Sequence, residues 1–140
     1  MTIRTIFAGG FAALVVTMTG PAAAHDQAET VFPKFSRAIT NIPGKSLIAV
    51  EVDYAPGAAS PPHVHARSAF IYAYVISGAI ESQVNEGEKR IYKAGEGWYE
   101  APGAVHSVSR NASKTKPAKL LAVFVVDTDD QKLTTPVQSH

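Results

Sequence analysis

The sequence predicts an all-β protein, a sandwich or barrel of short strands. Three observations lead there. Apolar and polar residues alternate with a period of two in several short segments, and Gly/Pro turns recur between them. Beyond the N-terminal segment, no stretch of ten or more residues keeps a helical period.

A chain of 140 residues holds one domain, because two independent cores would each be too small. Its ends read differently from its middle. Met1–Arg4 carries one positive charge, Ile6–Met18 is uncharged and apolar, Gly20-Pro21 breaks the run, and Ala22-Ala23-Ala24 supplies small residues before His25. That order is the pattern of a secretory signal peptide over residues 1–24, and the run is shorter than the ~20 residues of a membrane span. Removing it leaves 116 residues with 12 basic and 12 acidic side chains. The expectation is therefore an exported, secreted or periplasmic protein with no membrane segment after cleavage. Electrical balance argues against a nucleic-acid partner, which requires a basic surface. The chain has no cysteine, which excludes disulfides, thiol catalysis and cysteine-ligated metal. A metal site here has to be built from histidine and carboxylate.

Residues 25–46 read as a lead-in strand or loop, 47–127 as the folded domain and 128–140 as a polar, frayed tail. Within the domain, Leu47–Tyr54 alternates, with Ile48, Val50 and Val52 on one face. Ala69–Ile76 is rich in aromatic and β-branched residues that suit a pleated sheet. Gly78 punctuates it, and Ile80–Val84 resumes the strand pattern. Asn85-Glu86-Gly87 signals a hairpin turn before Arg90–Lys93. Gly95 and Gly97 precede Trp98–Ala101, Pro102-Gly103 turns the chain into Val105–Ser109, and Leu120–Asp127 is the strongest strand of all.

The chemistry-bearing residues are the histidines. His63 and His65 stand two apart after Pro61-Pro62, which holds the chain extended, so on a strand both imidazoles project from one face. The segment Gly57 to His65 has the form G-x5-H-x-H, and Gly95 to His106 the form G-x6-P-G-x2-H, with Asn111 shortly after. In order and spacing these resemble the two motifs of the cupin superfamily, over about Leu47–Asp127. The resemblance implies a single jelly-roll barrel (a double-stranded β-helix). It also implies that His63, His65 and His106 converge on a metal inside it. The family's first motif usually adds a Glu shortly after the second His. Here Ala69 and Phe70 stand at those positions, and counting back from Gly78 reaches Ile71.

Without that carboxylate, imidazole donors favour Fe, Ni, Cu or Zn over Mn. Glu100, six residues before His106, is the candidate replacement: facing inward it could ligate the metal, orient an imidazole or act as a catalytic base. Phe70, Tyr72, Tyr74 and Trp98 are candidates to line a substrate pocket. Arg67 and Arg110 flank the motifs, where they could hold an anion or lie exposed. The functional expectation is metal-dependent, dioxygenase-like oxidation of a small organic substrate. The alternative is a non-catalytic module that binds or senses a small ligand. An unpaired edge strand would give a physical reason for a homodimer.

Overall fold

The computed structural model describes residues 29–138; the signal-peptide reading of residues 1–24 lies outside them. Strands follow one another in the order β1 (Thr30–Ala38), β2 (Lys45–Tyr54), β3 (Ala59–Ser60), β4 (His63–His65), β5 (Phe70–Ser77), β6 (Ala79–Val84), β7 (Arg90–Lys93), β8 (Gly97–Glu100), β9 (Val105–Asn111), β10 (Ala118–Asp127) and β11 (Thr134–Pro136), with no helix among the described residues. All pairings are antiparallel. One sheet has the order β1-β2-β10-β5-β8, and the other runs β11-β4-β9-β6-β7, with β3 also on β9. Apart from the neighbours β1/β2, β3/β4 and β6/β7, successive strands pass from one layer to the other, which is the jelly-roll, double-stranded β-helix arrangement.

Strand alternation decides what lies between the layers. On β10, Ala118, Leu120, Ala122, Phe124 and Val126 point inward. Val50, Val52 and Tyr54 of β2 meet them from one side, and Ile71, Ala73 and Val75 of β5 from the other. Ile80 and Trp98 complete the apolar end of the core. The turns carry the conformations they need. Gly78 joins β5 to β6 at φ +71°, where a side chain is strained. Asn85, at φ 53°, exchanges bonds with the backbone of Val105 through its own N–H and its side-chain oxygen, tying the β6–β7 hairpin to β9.

The segments flanking residues 47–127 both contribute strands. The lead-in is a nine-residue strand, β1, laid on β2. The tail is not frayed throughout, because Thr134–Pro136 adds to β4 as an edge strand. Nothing in the local composition signals that pairing, since it depends on β4 offering a free edge.

Candidate metal centre

His63 and His65 share the inner face of β4, and the β4–β9 register sets His63 directly opposite His106. The ring centroids are 4.7 Å apart for His63–His65 and 5.1 Å for His63–His106. One nitrogen from each of the three residues lies within 4.8 Å of the others. Burial is nearly complete for His106 and His63, at 4% and 8% exposure. These rings come from one sheet, and the carboxylate comes from the other. Glu100 on β8 is 2% exposed, with Oε2 3.3 Å from His65 Nε2 and Oε1 3.3 Å from His106 Nδ1. In the ladder Glu100 pairs with Ile71, one of the positions where the family pattern places its carboxylate. The acid has in effect moved one strand sideways while keeping its aim.

Hydrogen bonds orient the imidazoles. His63 Nδ1 lies 2.8 Å from the Pro61 carbonyl oxygen and His65 Nδ1 3.1 Å from that of Leu133. A carbonyl only accepts, so both Nδ1 atoms carry the hydrogen and both Nε2 atoms face the cavity. The Leu133 contact gives the C-terminal segment a role in the site that composition could not reveal. His106 Nε2 lies 2.8 Å from Ser82 Oγ, which leaves Nδ1 toward Glu100. Trp98 Nε1 donates to Glu100 Oε1 at 3.1 Å. Glu100 Oε2 is buried without a hydrogen-bond partner, and His65 Nε2 faces it at 3.3 Å. An unpartnered carboxylate oxygen and an imidazole nitrogen at that distance can share one cation. The donor set therefore fits a divalent transition ion.

Protonation states agree with that fit. Burial, with repulsion from His63 and His65, outweighs Glu100 and pushes His106 down to about 4. Burial also lowers His63. For Glu100, burial pushes upward, but the His65 and His106 rings and the indole N–H outweigh it and hold the carboxyl below the usual range. At neutral pH His63 and His106 are uncharged rings and Glu100 an anionic oxygen, the forms that bind metal.

The space in front of this cluster is a cavity of about 80 Å³. Its walls are largely aliphatic or aromatic, among them Val50, Val52, Leu120, Phe124 and Trp98, and Glu29, Val31 and Thr134 stand around it. Tyr54 adds a hydroxyl 2.7 Å from Ser60 Oγ and 2.8 Å from Ser109 Oγ. Those hydroxyls and Ser82 escaped sequence reasoning because serine is ordinary on strands; the usable signal is parity, since Ser82 lies on the same face of β6 as buried Ile80.

Three expected pocket residues are corrected. Phe70, Tyr72 and Tyr74 are 44%, 48% and 37% exposed on the outer face of β5, whose inward positions are Ile71, Ala73 and Val75. Arg67 is exposed, and Arg110 pairs with Glu81 on the outside of the barrel rather than facing the cavity.

Comparison with known proteins gives the same outline. The Cupin_2 family model, a cupin domain, matches residues 50–124. Germin-like protein subfamily 2 member 2 of Arabidopsis thaliana is 32% identical over 93 residues, 61% of this chain and 41% of the relative. The chain thus spans less than half the length of that relative. An oxalate oxidase structure superposes with a TM-score of 0.55 at 26% identity, covering 65% of this chain and 46% of the other. A double-stranded β-helix protein of Klebsiella pneumoniae has a TM-score of 0.62 at 19% identity, over 82% and 89% of the two chains; that likeness concerns the fold alone.

Proposed function

Because this chain belongs to the Cupin_2 family, whose domain model spans more than half of it, we propose that it is an exported metalloprotein in which His63, His65, His106 and Glu100 hold one divalent transition ion. The observation carrying the proposal is the set of buried donors aimed at one point, with Glu100 Oε2 left unpartnered. Nitrogen donors predominate, so Fe, Ni, Cu or Zn suits the site better than Mn. Bound there, the ion supplies Lewis acidity and, if redox-active, electron transfer to a small ligand beside it. The chain's own residues do the rest. Pro61 and Leu133 fix the tautomers of His63 and His65. Ser82 and Trp98 hold His106 and Glu100 in place. The apolar walls exclude bulk water.

The reaction we assign is dioxygenase-like oxidation of a small organic substrate. A cavity of about 80 Å³ is far below the roughly 300–1,000 Å³ of drug-sized sites, which restricts the substrate to a few non-hydrogen atoms. Likeness to an oxalate oxidase supports small-molecule oxidation without fixing the substrate. Export rests on the leader pattern of residues 1–24.

One observation favours a binding or sensing module instead. Glu29 and Glu100 are the acidic residues of the cavity lining, no Lys or Arg joins them, and Glu100 is committed to the ion. Among the described residues, Glu29 is the one carboxylate of the lining left to move a proton. Oxygen uptake by the iron-, nickel- and copper-loaded protein, screened against small diketones, phenols and thiols, decides between the readings. Turnover abolished by His106→Ala supports the enzyme. Ligand-dependent rises in melting temperature without turnover support the binder.

A further inference from the structure

The cavity has polar groups that the metal centre does not use. Thr30 pairs with Asp53 and Val31 with Val52, so the register of β1 on β2 brings Glu29 alongside Tyr54. Glu29 stands two residues before Val31 and both line the cavity, which is the parity an extended chain gives. Among the described residues, Glu29 Oε2 is buried with no hydrogen-bond partner. The Glu29 charge is felt at two walls. Burial chiefly raises the Tyr54 hydroxyl and Glu29 adds to that; burial chiefly lowers His63 and Glu29 opposes it.

Tyr54 also joins a cluster of hydroxyls. Its oxygen lies 2.7 Å from Ser60 Oγ and 2.8 Å from Ser109 Oγ, and all three residues line the same cavity. Three hydroxyls carry three protons, and the two contacts use two of them. One O–H is left for a ligand.

The charge balance of the cavity narrows what that ligand is. No Lys or Arg lines it, so its fixed charges are the two carboxylates, Glu29 and Glu100. A divalent ion on the histidines balances these two. A carboxylate ligand would then bring an uncompensated negative charge in front of Glu29, between apolar walls that screen it poorly. An uncharged ligand brings none, and its own O–H or N–H satisfies the unpartnered carboxylate oxygen.

We propose that Glu29 and the Tyr54–Ser60–Ser109 hydroxyls form the recognition end of the cavity, selecting a small uncharged molecule with an O–H or N–H donor and turning away carboxylates. Hydroxyamides, hydroxyketones and diols of a few non-hydrogen atoms are the class that fits. The inference rests on the metal centre proposed above, since the ion completes the charge balance.

Glycolamide and glycolate test it, because they match in size and shape and differ in charge. Each is titrated calorimetrically into the zinc-loaded protein near pH 7. Glycolamide is expected to bind the tighter. Glu29→Gln, at a position outside every strand, is expected to shift the ratio of the two affinities toward glycolate by at least about 10-fold. Tyr54→Phe is expected to weaken glycolamide about 5-fold with unchanged far-UV dichroism. Tighter binding of glycolate by the unsubstituted protein overturns the proposal. So does a ratio indifferent to Glu29→Gln, or binding of neither probe. Zinc content of the same samples reports the metal centre separately. A chain that takes up no zinc overturns both readings, whereas a zinc-loaded chain with an unchanged ratio overturns this one alone.

Discussion

Acidification of the metal-free protein is expected to destabilise it through His106. In the unfolded chain this imidazole titrates near 6.5; in the fold, burial first and repulsion from the other two rings second hold it at about 4. Above 6.5 neither state binds the proton, so stability is independent of this group. Between 6.5 and about 4 the unfolded chain takes up a proton that the folded chain refuses, and stability falls with pH. At 1.36 kcal/mol per pH unit the full difference is about 3 kcal/mol, of which about 2 kcal/mol is lost by pH 5. His63, lowered chiefly by burial, acts in the same direction. Glu100 is depressed below the carboxylate range, so its contribution is present above that range and lost only as pH falls through its folded value. Urea unfolding of chelator-treated protein at pH 7, 6 and 5 measures the effect, as a midpoint falling by on the order of 1 M urea. His106→Gln should remove most of the slope. A midpoint constant from pH 7 to pH 5 would refute the reasoning, because it would mean that His106 is hydrated or protonated in the fold.

Three further outcomes follow from single contacts. Ser82→Ala removes the hydroxyl 2.8 Å from His106 Nε2 and is expected to weaken cobalt or zinc binding about 10-fold with the fold intact, read by competition with a chromophoric chelator. Gly78→Ala places a Cβ at 2.6 Å from the Pro117 carbonyl oxygen at φ +71°, and should lower unfolding free energy by at least about 2 kcal/mol, read as a fall in thermal midpoint. Asn111→Ala deletes side-chain bonds to the carbonyls of Tyr54, Ala55 and Lys116 and to the Ser113 amide. A loss of about 3 kcal/mol in urea unfolding is expected, since those groups are partly or wholly buried.

Legibility of the sequence followed the range of the interaction. Arg90–Lys93 and the long alternation of β10 are written locally, in β-branched periodicity bounded by turns. The His63/His65 pair is legible for the same reason, because i and i+2 share a face on any strand. The aim of Glu100 is not local. It depends on the register that sets Glu100 against Ile71 and Trp98 against Ala73, and a slip of one residue would turn it to solvent. The same parity sent Phe70, Tyr72 and Tyr74 outward, where aromatic content alone had suggested a pocket. β11 is hard to read, and β1 is left open between strand and loop, because both are edge strands containing a proline, Pro136 and Pro33, which marks an edge but dilutes the strand pattern.

Metal content tests the central claim most directly. Elemental analysis of the protein purified from its native compartment is expected to find close to one equivalent of Fe, Ni, Cu or Zn per chain, falling to less than about a tenth in His63→Ala and in His106→Ala, with weakened retention in Glu100→Gln. Less than about half an equivalent in the native chain with none taken up on reconstitution, or a content unaltered by His63→Ala, would contradict the account.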